Sequence, residues 1–234
     1  MTMKPLSVRF SRLTPISESD SRQFFTNFMG LYSDYIFPMI MDRAMSRPAF
    51  TEQRKLALAS AHGEVLEIGF GTGLNFPHYP PGVTRLDAVE PGKFRSRIVL
   101  KRAPIALKIE LLCGRAEMLP YQNGRFDCVL STWTLCTIVD VGAALAEIRR
   151  VLKPNGIFIF LEHGRSENPV IAKWQNRLNR LQRMFACGCN LNRSINSLIS
   201  QAGFTINSLE RYYMPSVPRV AGAMYRGIAV PNNE

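Results

Sequence analysis

The sequence predicts a doubly wound α/β domain, built on a mostly parallel sheet of seven strands and preceded by a helical lid. Two observations predict this class. Short apolar strand patterns alternate with helical patterns from about residue 63 onward, as in sheets with crossover helices. Three glycines, Gly69, Gly71 and Gly73, follow the first apolar strand, where such a sheet turns toward its first helix.

Size and composition favour one reduced, globular domain. The chain has 234 residues, of which 46% are hydrophobic, which is enough for a full core. No apolar run approaches the roughly 18–20 residues that span a bilayer, and residues 1–20 show no secretory signal pattern. The five cysteines are odd in number and have no metal-site spacing, so we expect buried thiols, a cytoplasmic protein and no metal.

The charge of the chain is strongly basic. Its net charge is +11, and much of the excess lies in residues 93–102 and 165–183. Such a balance attracts an anionic partner, which could be a nucleic acid, a lipid surface or an acidic small molecule. In residues 169–185 the basic side chains recur at helical spacing, which suggests peripheral contact with an anionic membrane.

The N-terminal part divides into two segments. Residues 1–22 are rich in Ser, Thr, Pro and Arg, and we expect them to be a disordered basic tail. Residues 23–62 are predicted to form the helical lid, with an interruption near Pro38 and a second helix that ends at Gly63. Tyr32 and Tyr35 of this lid are expected to contribute to a substrate-binding site.

Residues 63–234 are predicted to form the α/β domain itself. Its strands are expected at "GEVLEIG", "TRLDAVEPG", "ALKIELLCG", "RFDCVLSTWTL", "GIFIFLEHG", "TINSLERYYM" and "RVAGAMYRGIAV". Its helices are expected at "GLNFPHYP", after Lys93, at "VGAALAEIRRVLKPNG", from Pro169 to Phe185 and at "LNRSINSLISQAGF".

The glycine-rich turn and two carboxylates indicate the ligand. Gly69 and Gly71 leave bare backbone for close approach, but Leu74 breaks the dinucleotide fingerprint. Glu90 ends the second strand, where a carboxylate accepts hydrogen bonds from ribose hydroxyls. Glu67 lies in an apolar strand and needs a donor or cation to face. We therefore expect the ligand to be S-adenosylmethionine, which has a ribose, a cationic sulfonium and an ammonium group, and which carries no phosphate.

Five stretches resemble the class I S-adenosylmethionine-dependent methyltransferases: "VLEIGFGTG", "LDAVEPG", "GRAEMLPYQNGRFDCVLSTWTLCTI", "EIRRVLKPNGIFIFLEHGR" and "GCNLNR". Residues 60–165 are similar to the ubiquinone/menaquinone-biosynthesis type. Residues 64–230, through "NFPHYPPGV", "LEHG" and "GCNLNR", are similar to alkyl-thiol methyltransferase-like proteins. The animal members carry an N-terminal membrane anchor, which we do not expect here. The resemblance implies a Rossmann-like sheet with an antiparallel last strand.

The resemblance also implies a set of cofactor contacts. Arg115 stands where such enzymes usually carry an acid before the adenine-binding residues. The cofactor-binding residues it implies are Glu67, Gly69, Gly71, Gly73, Asn75, Glu90, Ala116, Glu117, Thr132 and Leu135.

The acceptor is expected at the end of the fifth strand. His163 is a candidate base for a thiol, hydroxyl or ammonium nucleophile, and Glu162 is its catalytic neighbour; the alternative for His163 is a structural role at the strand end. Cys189, Asn190 and Arg193 are expected to shape the acceptor pocket, with Arg193 available to an anionic group.

These observations predict a methyltransferase acting on a small, apolar acceptor, with a thiol preferred. The alternatives are phospholipid N-methylation and methylation of quinone-like rings. A basic nucleic-acid-binding protein and a cofactor-binding regulator without catalysis are hypotheses of other classes. The Asn/Asp-Pro-Pro-Tyr tetrapeptide of base-methylating enzymes does not occur in the sequence, so we expect no nucleic-acid substrate.

Overall fold

The computed structural model describes residues 10–12, 32, 36–91, 96–103 and 107–232. The strands are β1 (Phe10–Arg12), β2 (Gly63–Ile68), β3 (Val83–Glu90), β4 (Lys108–Cys113), β5 (Phe126–Thr132), β6 (Leu152–His163), β7 (Phe204–Tyr213) and β8 (Ala223–Pro231). The helices are α1 (Phe37–Met45), α2 (Pro48–Leu58), α3 (Ser96–Arg102), α4 (Val141–Val151), α5 (Pro169–Phe185), α6 (Ile195–Gln201) and α7 (Arg219–Gly222).

The strands form one sheet in the order β1-β4-β3-β2-β5-β6-β8-β7. Every neighbouring pair from β1 to β6 is parallel, and β8 is antiparallel to both β6 and β7. The seven expected strands and the antiparallel last strand are therefore confirmed. The chain order reverses between β2 and β5, which is the switch point where ligands of open α/β sheets bind.

Both faces of the sheet are buried, because successive side chains of a strand point to opposite faces. On β6, Phe158 and Phe160 join one apolar cluster with Leu145 of α4. On the other face, Ile159 and Leu161 join a second cluster, which includes Leu58 of α2. These two layers hold the strand ends of the switch point in fixed positions.

Several element boundaries differ from the expectations. α2 ends at Leu58, and Gly63 instead opens β2 with φ +67°. Glycine is needed at this position because a Cβ there would lie 2.3 Å from Oδ2 of Asp127. α4 ends at Val151, three residues before Pro154, whose ring disfavours helical backbone in the preceding residue. The expected helix at "GLNFPHYP" is only a 3₁₀ turn, Phe76–His78.

The N-terminal segments fit the expectations in part. Pro38 lies in the first turn of α1, where its missing N–H leaves no helical hydrogen bond unmade, so the helix begins there instead of kinking. β1 adds an eighth strand that was not expected, pairing parallel with β4. Most of the expected disordered tail and the first part of the lid lie outside the described residues.

No helix in the described part of the chain is both long and apolar enough to cross a membrane. The five cysteines, all in the described part of the chain, form no disulfide; Cys128, Cys136 and Cys189 are buried, Cys113 is partly buried and Cys187 is exposed.

Candidate functional site

A cavity of about 790 Å³ opens at the carboxyl ends of the central strands and runs beneath α1 and α2. The predicted site residues that line it are Glu67, Gly69, Gly71, Asn75, Glu90, Ala116, Glu117, Thr132, His163 and Cys189. The predicted residues Gly73, Leu135, Glu162, Asn190, Arg193 and Tyr32 do not line it. Tyr35 lies outside the described residues.

The turn after β2 presents bare backbone to the cavity. Gly71 has φ +52°, and a Cβ built on it would meet no atom within 4 Å. Gly69 has φ +71° and needs its missing side chain for another reason, because a Cβ would lie 2.3 Å from the Thr134 side chain. The turn therefore leaves space for a ligand at Gly71 and packs tightly at Gly69. Gly73 lies against Phe76, away from the cavity.

Glu90 at the end of β3 holds this turn in place. The Gly71 N–H donates to Oε2 of Glu90 over 3.0 Å. The backbone of the same strand end accepts from two further glycines: Gly69 N–H donates to the Val89 carbonyl and Gly114 N–H to the Glu90 carbonyl. One carboxylate and one strand end thus fix the loops on both sides of the cavity.

Glu67 is the buried carboxyl group of the site. Its two oxygens accept hydrogen bonds from Asn75 Nδ2 and the Tyr79 hydroxyl, both at 2.8 Å. Asn75 also donates to Oγ1 of Thr132 over 2.9 Å. Burial raises the pKa of Glu67 to about 7, although Tyr79 and Asn75 oppose this shift. Among the described residues, no hydrogen-bond donor reaches the buried Oδ1 of Asn75.

Arg54 is a site residue that the sequence analysis missed. It projects from α2 into the cavity wall, where it is 4% exposed, donates to the Met45 carbonyl, and lies 4.8 Å from the ring centre of Trp133. Burial lowers the pKa of Arg54 to about 10, so it remains a cation at neutral pH. In the sequence it resembles any surface arginine of an amphipathic helix.

An ion pair joins α1 to the glycine-rich turn. Arg102 of α3 donates to both carboxylate oxygens of Asp42, over 2.6 and 3.1 Å, and to the Thr72 carbonyl over 2.9 Å. The Thr72 hydroxyl donates to the same aspartate over 2.6 Å. The hydrogen bonds from Arg102 lower the pKa of Asp42. The helix that covers the cavity is therefore tied to the ligand-facing loop itself.

One end of the cavity wall is built from sulfur and imidazole. Nε2 of His163 lies 3.1 Å from Sγ of Cys189, and that sulfur lies 3.6 Å from Sγ of Cys136. The hydrogen bonds from Cys136 and His163 lower the pKa of Cys189 to about 4. Burial alone would lower the pKa of His163, but the contact with Cys189 outweighs it and raises that pKa.

Neither ring nitrogen of His163 points to open space in the described structure. Nε2 faces Cys189, and Nδ1 is buried without a hydrogen-bond partner among the described residues. Glu162 lies below the cavity floor, where it accepts hydrogen bonds from the Ser131 hydroxyl and the Thr134 N–H. Burial raises the pKa of Glu162 to about 7. Its Oε1 supports the loop after β5, and its Oε2 is buried without a hydrogen-bond partner among the described residues.

The "GCNLNR" loop holds the same region from outside. Arg193 donates to the carbonyls of Leu135 and Ile138, so its guanidinium supports the backbone and is not directed at the cavity. Asn190 donates from its side chain to the carbonyl of Cys136 over 2.9 Å. These two expected acceptor residues therefore position the cysteine loop instead of lining the acceptor pocket.

Of the remaining expected residues, Ala116 and Glu117 lie at the cavity wall and Tyr32 lies outside it. Ala116 and Glu117 follow β4 at the cavity wall, and Arg115 forms an ion pair with Glu117 over 2.8 Å. Hydrogen bonding to Arg115 lowers the pKa of Glu117 against the effect of burial. Tyr32 donates its hydroxyl proton to the Phe185 carbonyl over 2.9 Å, so it joins the lid to α5.

Comparisons with known proteins identify a methyltransferase domain in the central part of the chain. Residues 66–160 match the family model described as a methyltransferase domain. The thiol S-methyltransferase TMT1A of Homo sapiens is 29% identical over 207 residues, covering 81% of this chain and 84% of the human protein. The solved structure of YcgJ from Bacillus subtilis has a TM-score of 0.60 at 18% identity, covering 78% of this chain and 99% of that one.

A second solved structure contains ligands. The 1,6-didemethyltoxoflavin-N1-methyltransferase of Burkholderia thailandensis, determined with bound 1,6-didemethyltoxoflavin and S-adenosylhomocysteine, has a TM-score of 0.61 at 18% identity. It covers 94% of each chain.

The open position of Gly71 predicts how substitution acts. Gly71→Ala should weaken S-adenosylmethionine binding at least tenfold, the equivalent of about 1.4 kcal/mol, because its methyl group enters the cavity. Gly124→Ala is the control, since Gly124 has φ +64°, equally open surroundings and no contact with the cavity. Both variants should lose about 1–2 kcal/mol of unfolding free energy from left-handed backbone strain.

Calorimetry and urea unfolding separate the two effects. Equal cofactor affinity in Gly71→Ala and Gly124→Ala would show that this turn does not face the ligand.

Proposed function

We propose that this chain, a class I S-adenosylmethionine-dependent methyltransferase, methylates the sulfur atom of a small, apolar thiol. The observation that carries the proposal is the composition of the acceptor end of the cavity. Apolar side chains line much of the cavity, and its wall also carries the thiols and imidazole of Cys136, His163 and Cys189. The apolar residues are Phe37, Met41, Met45, Phe50, Leu191, Met214, Val217 and Met224.

The similarity to thiol S-methyltransferases supports this acceptor class. The family model covers only residues 66–160, which hold the nucleotide-facing strands. The similarity to human TMT1A extends over 207 residues, well beyond that core. A second human relative, thiol S-methyltransferase TMT1B, is 28% identical over 186 residues. The acceptor-side elements of this chain are therefore part of what resembles these enzymes.

The residues around the glycine-rich turn fit S-adenosylmethionine. When bound, this cofactor supplies a methyl group activated by a sulfonium sulfur. Glu90 would accept hydrogen bonds from the ribose hydroxyls, as carboxylates at this strand end do. Gly71 gives the cofactor room against bare backbone, and the unpartnered Oδ1 of Asn75 gives it an acceptor. Glu67 would face the cationic amino group, and Arg54 would pair with the carboxylate.

Methyl transfer is an in-line displacement, so the protein mainly has to align the reactants and exclude water. We propose that α1 and α2 serve as the lid that does this. The pairing of Asp42 with Arg102 and Thr72 supports this proposal, because it fastens α1 onto the turn that would hold the cofactor. Phe50 of α2 packs edge-on against Trp133 at the same wall, with ring centres 5.6 Å apart.

We also propose that α5 contacts an anionic membrane surface. An exposed apolar strip runs along this helix, with Trp174 51% and Phe185 59% exposed. The other members of the strip are Val170, Leu181 and Met184. Lys173, Arg177 and Arg180 are exposed beside it, so the helix offers both apolar burial and charge attraction at one face. Such a surface would bring the cavity close to apolar acceptors.

One prediction of this proposal concerns the acceptor. With methyl-labelled S-adenosylmethionine, the protein should convert alkyl thiols to methyl thioethers. The catalytic efficiency should rise roughly threefold to fourfold for each added CH₂, which corresponds to about 0.8 kcal/mol of apolar burial. Phenols, phosphatidylethanolamine and RNA oligonucleotides complete the panel, and Glu90→Ala serves as the cofactor-binding control. Label appearing on one of those other acceptors and never on a thiol would contradict the proposal.

A second prediction concerns pH. Because burial raises the pKa of Glu67 to about 7, this group is mostly protonated below that pH and cannot pair with a cation. We expect the affinity for S-adenosylmethionine to rise roughly fivefold between about pH 6 and about pH 7, with a proton released on binding. Glu67→Gln should remove this dependence. Calorimetry in two buffers of different ionisation enthalpy measures the proton release, and a flat pH profile in the unsubstituted protein would exclude this role.

The third prediction concerns the membrane. Lys173→Glu should weaken binding to phosphatidylserine vesicles roughly tenfold or more, because each basic residue near an anionic surface contributes about 1 kcal/mol and the reversal adds repulsion. Lys108→Glu makes the same charge change at an exposed position at the start of β4, on the opposite end of the sheet. Vesicle flotation compares the two. If both variants lose binding equally, the contact depends on net charge and not on α5.

A further inference from the structure

Three soft ligand atoms meet at the acceptor end of the cavity. Cys136 follows β5, His163 ends β6, and Cys189 follows α5, so three separate elements bring them together. The two Sγ atoms and a ring nitrogen all lie within 4.8 Å of one another. All three residues also line the cavity. Neither the expected chemistry nor the packing of the core accounts for this convergence.

The spacing of these atoms fits a tetrahedral zinc ion. Zn–S bonds of about 2.3 Å and Zn–N bonds of about 2.0–2.1 Å place two sulfurs about 3.7 Å apart, and a sulfur and a nitrogen about 3.5 Å apart. The observed distances are 3.6 Å between the sulfurs of Cys136 and Cys189, and 3.1 Å between Cys189 and Nε2 of His163. A ring nitrogen of His163 and the sulfur of Cys136 lie within 4.8 Å of each other, so metal binding would require side-chain shifts that bring these two atoms to about 3.5 Å.

We propose that Cys136, His163 and Cys189 bind one zinc ion, whose fourth position opens into the cavity and receives the sulfur of the acceptor thiol. Three protein ligands and an open position are typical of catalytic zinc sites, whereas structural sites use four ligands. Thiolate and imidazole ligands suit zinc, and carboxylate-preferring ions such as Mg²⁺ are disfavoured.

The surroundings of the cluster support the site. Asn190 donates to the carbonyl of Cys136, and Arg193 donates to the carbonyls of Leu135 and Ile138, so the loop that carries Cys136 is fixed on both sides. The guanidinium of Arg193 interacts electrostatically with both cysteines. Two thiolates neutralise the charge of Zn²⁺, and this nearby cation would offset the negative charge that a third, substrate thiolate adds.

The role of the metal in methyl transfer rests on the proposed function, but the metal site does not. The acceptor R–SH would lose its proton to water and bind zinc through its sulfur as a thiolate, since metal coordination deprotonates a thiol. A lone pair of that sulfur then forms the new S–CH₃ bond. The bond from the methyl carbon to the sulfonium breaks, and its electron pair stays on the cofactor sulfur. The products are a methyl thioether, S-adenosylhomocysteine and one proton.

The test of the site is metal binding by the purified, reduced chain. Cobalt(II) should bind once per chain with the absorption of thiolate ligation, and zinc should displace it. Cys136→Ser, His163→Gln and Cys189→Ser should each weaken this binding at least about 100-fold. Cys187→Ser should retain it, because Cys187 is an exposed cysteine in the same loop and not a member of the cluster.

Two results would overturn the site. One is the absence of a thiolate–cobalt absorption band in the reduced protein. This result counts equally if Cys136 and Cys189 are first found joined as a disulfide and, once reduced, still bind no metal. The other is equal cobalt affinity in Cys187→Ser and Cys189→Ser. Affinity for S-adenosylmethionine should stay unchanged in all four variants, which shows that they are folded.

Activity provides a second, separate readout. Chelation of zinc should abolish thiol methylation, added zinc should restore it, and the affinity for S-adenosylmethionine should not change. Full thiol turnover by metal-free protein would overturn the activating role. If cobalt binds at the cluster but no thiol is methylated with zinc present, the metal site stands and the proposed function fails.

Discussion

The site depends on the cost of placing a carboxyl group inside the sheet. Glu67 occupies a position in β2 where the neighbouring strands carry Ala88 and Leu130, and it is buried with two hydrogen-bond donors among the described residues. A buried carboxylate without full compensation is expensive, so its pKa rises and it becomes sensitive to any cation that approaches. The hydroxyl of Tyr79, the amide of Asn75 and the guanidinium of Arg54 are arranged around this one requirement.

Much of the fold could be predicted from the sequence because its signals are local. Apolar runs such as those of β5 and β6, together with "VLEIGFGTG", indicate buried strands and a bare-backbone turn without knowledge of any distant contact. The ends of elements were harder to predict. Gly63 looks like a helix cap in the sequence, yet it opens β2. Glycine is required there for a tertiary reason, because the side chain of Asp127 from another strand occupies the space where a Cβ would be.

More of the residues predicted to bind the cofactor line the cavity than of those predicted for catalysis or the acceptor. Glu67, Gly71 and Glu90 stand at strand ends whose positions the fold class dictates. Arg54 has no such signal, because its helix packs over the cavity only in the tertiary structure. The same holds for Cys136, which the sequence did not single out and which meets His163 and Cys189 through the topology of the sheet. For Arg193 the sequence signal misled: its charge suggested contact with an anionic ligand, but its guanidinium donates hydrogen bonds to backbone carbonyls of the protein.

The position of β8 has a consequence for how the molecule is made. This strand is the last in chain order, yet it lies inside the sheet, between β6 and β7. During synthesis, one hydrogen-bonding edge of β6 therefore stays unpaired until residues 223–231, which form β8, have left the ribosome. A nascent chain stalled or truncated before that point would expose the apolar strand that carries His163, and such an edge is a template for pairing with other chains. Completion of the sheet and completion of the acceptor wall are thus one late event.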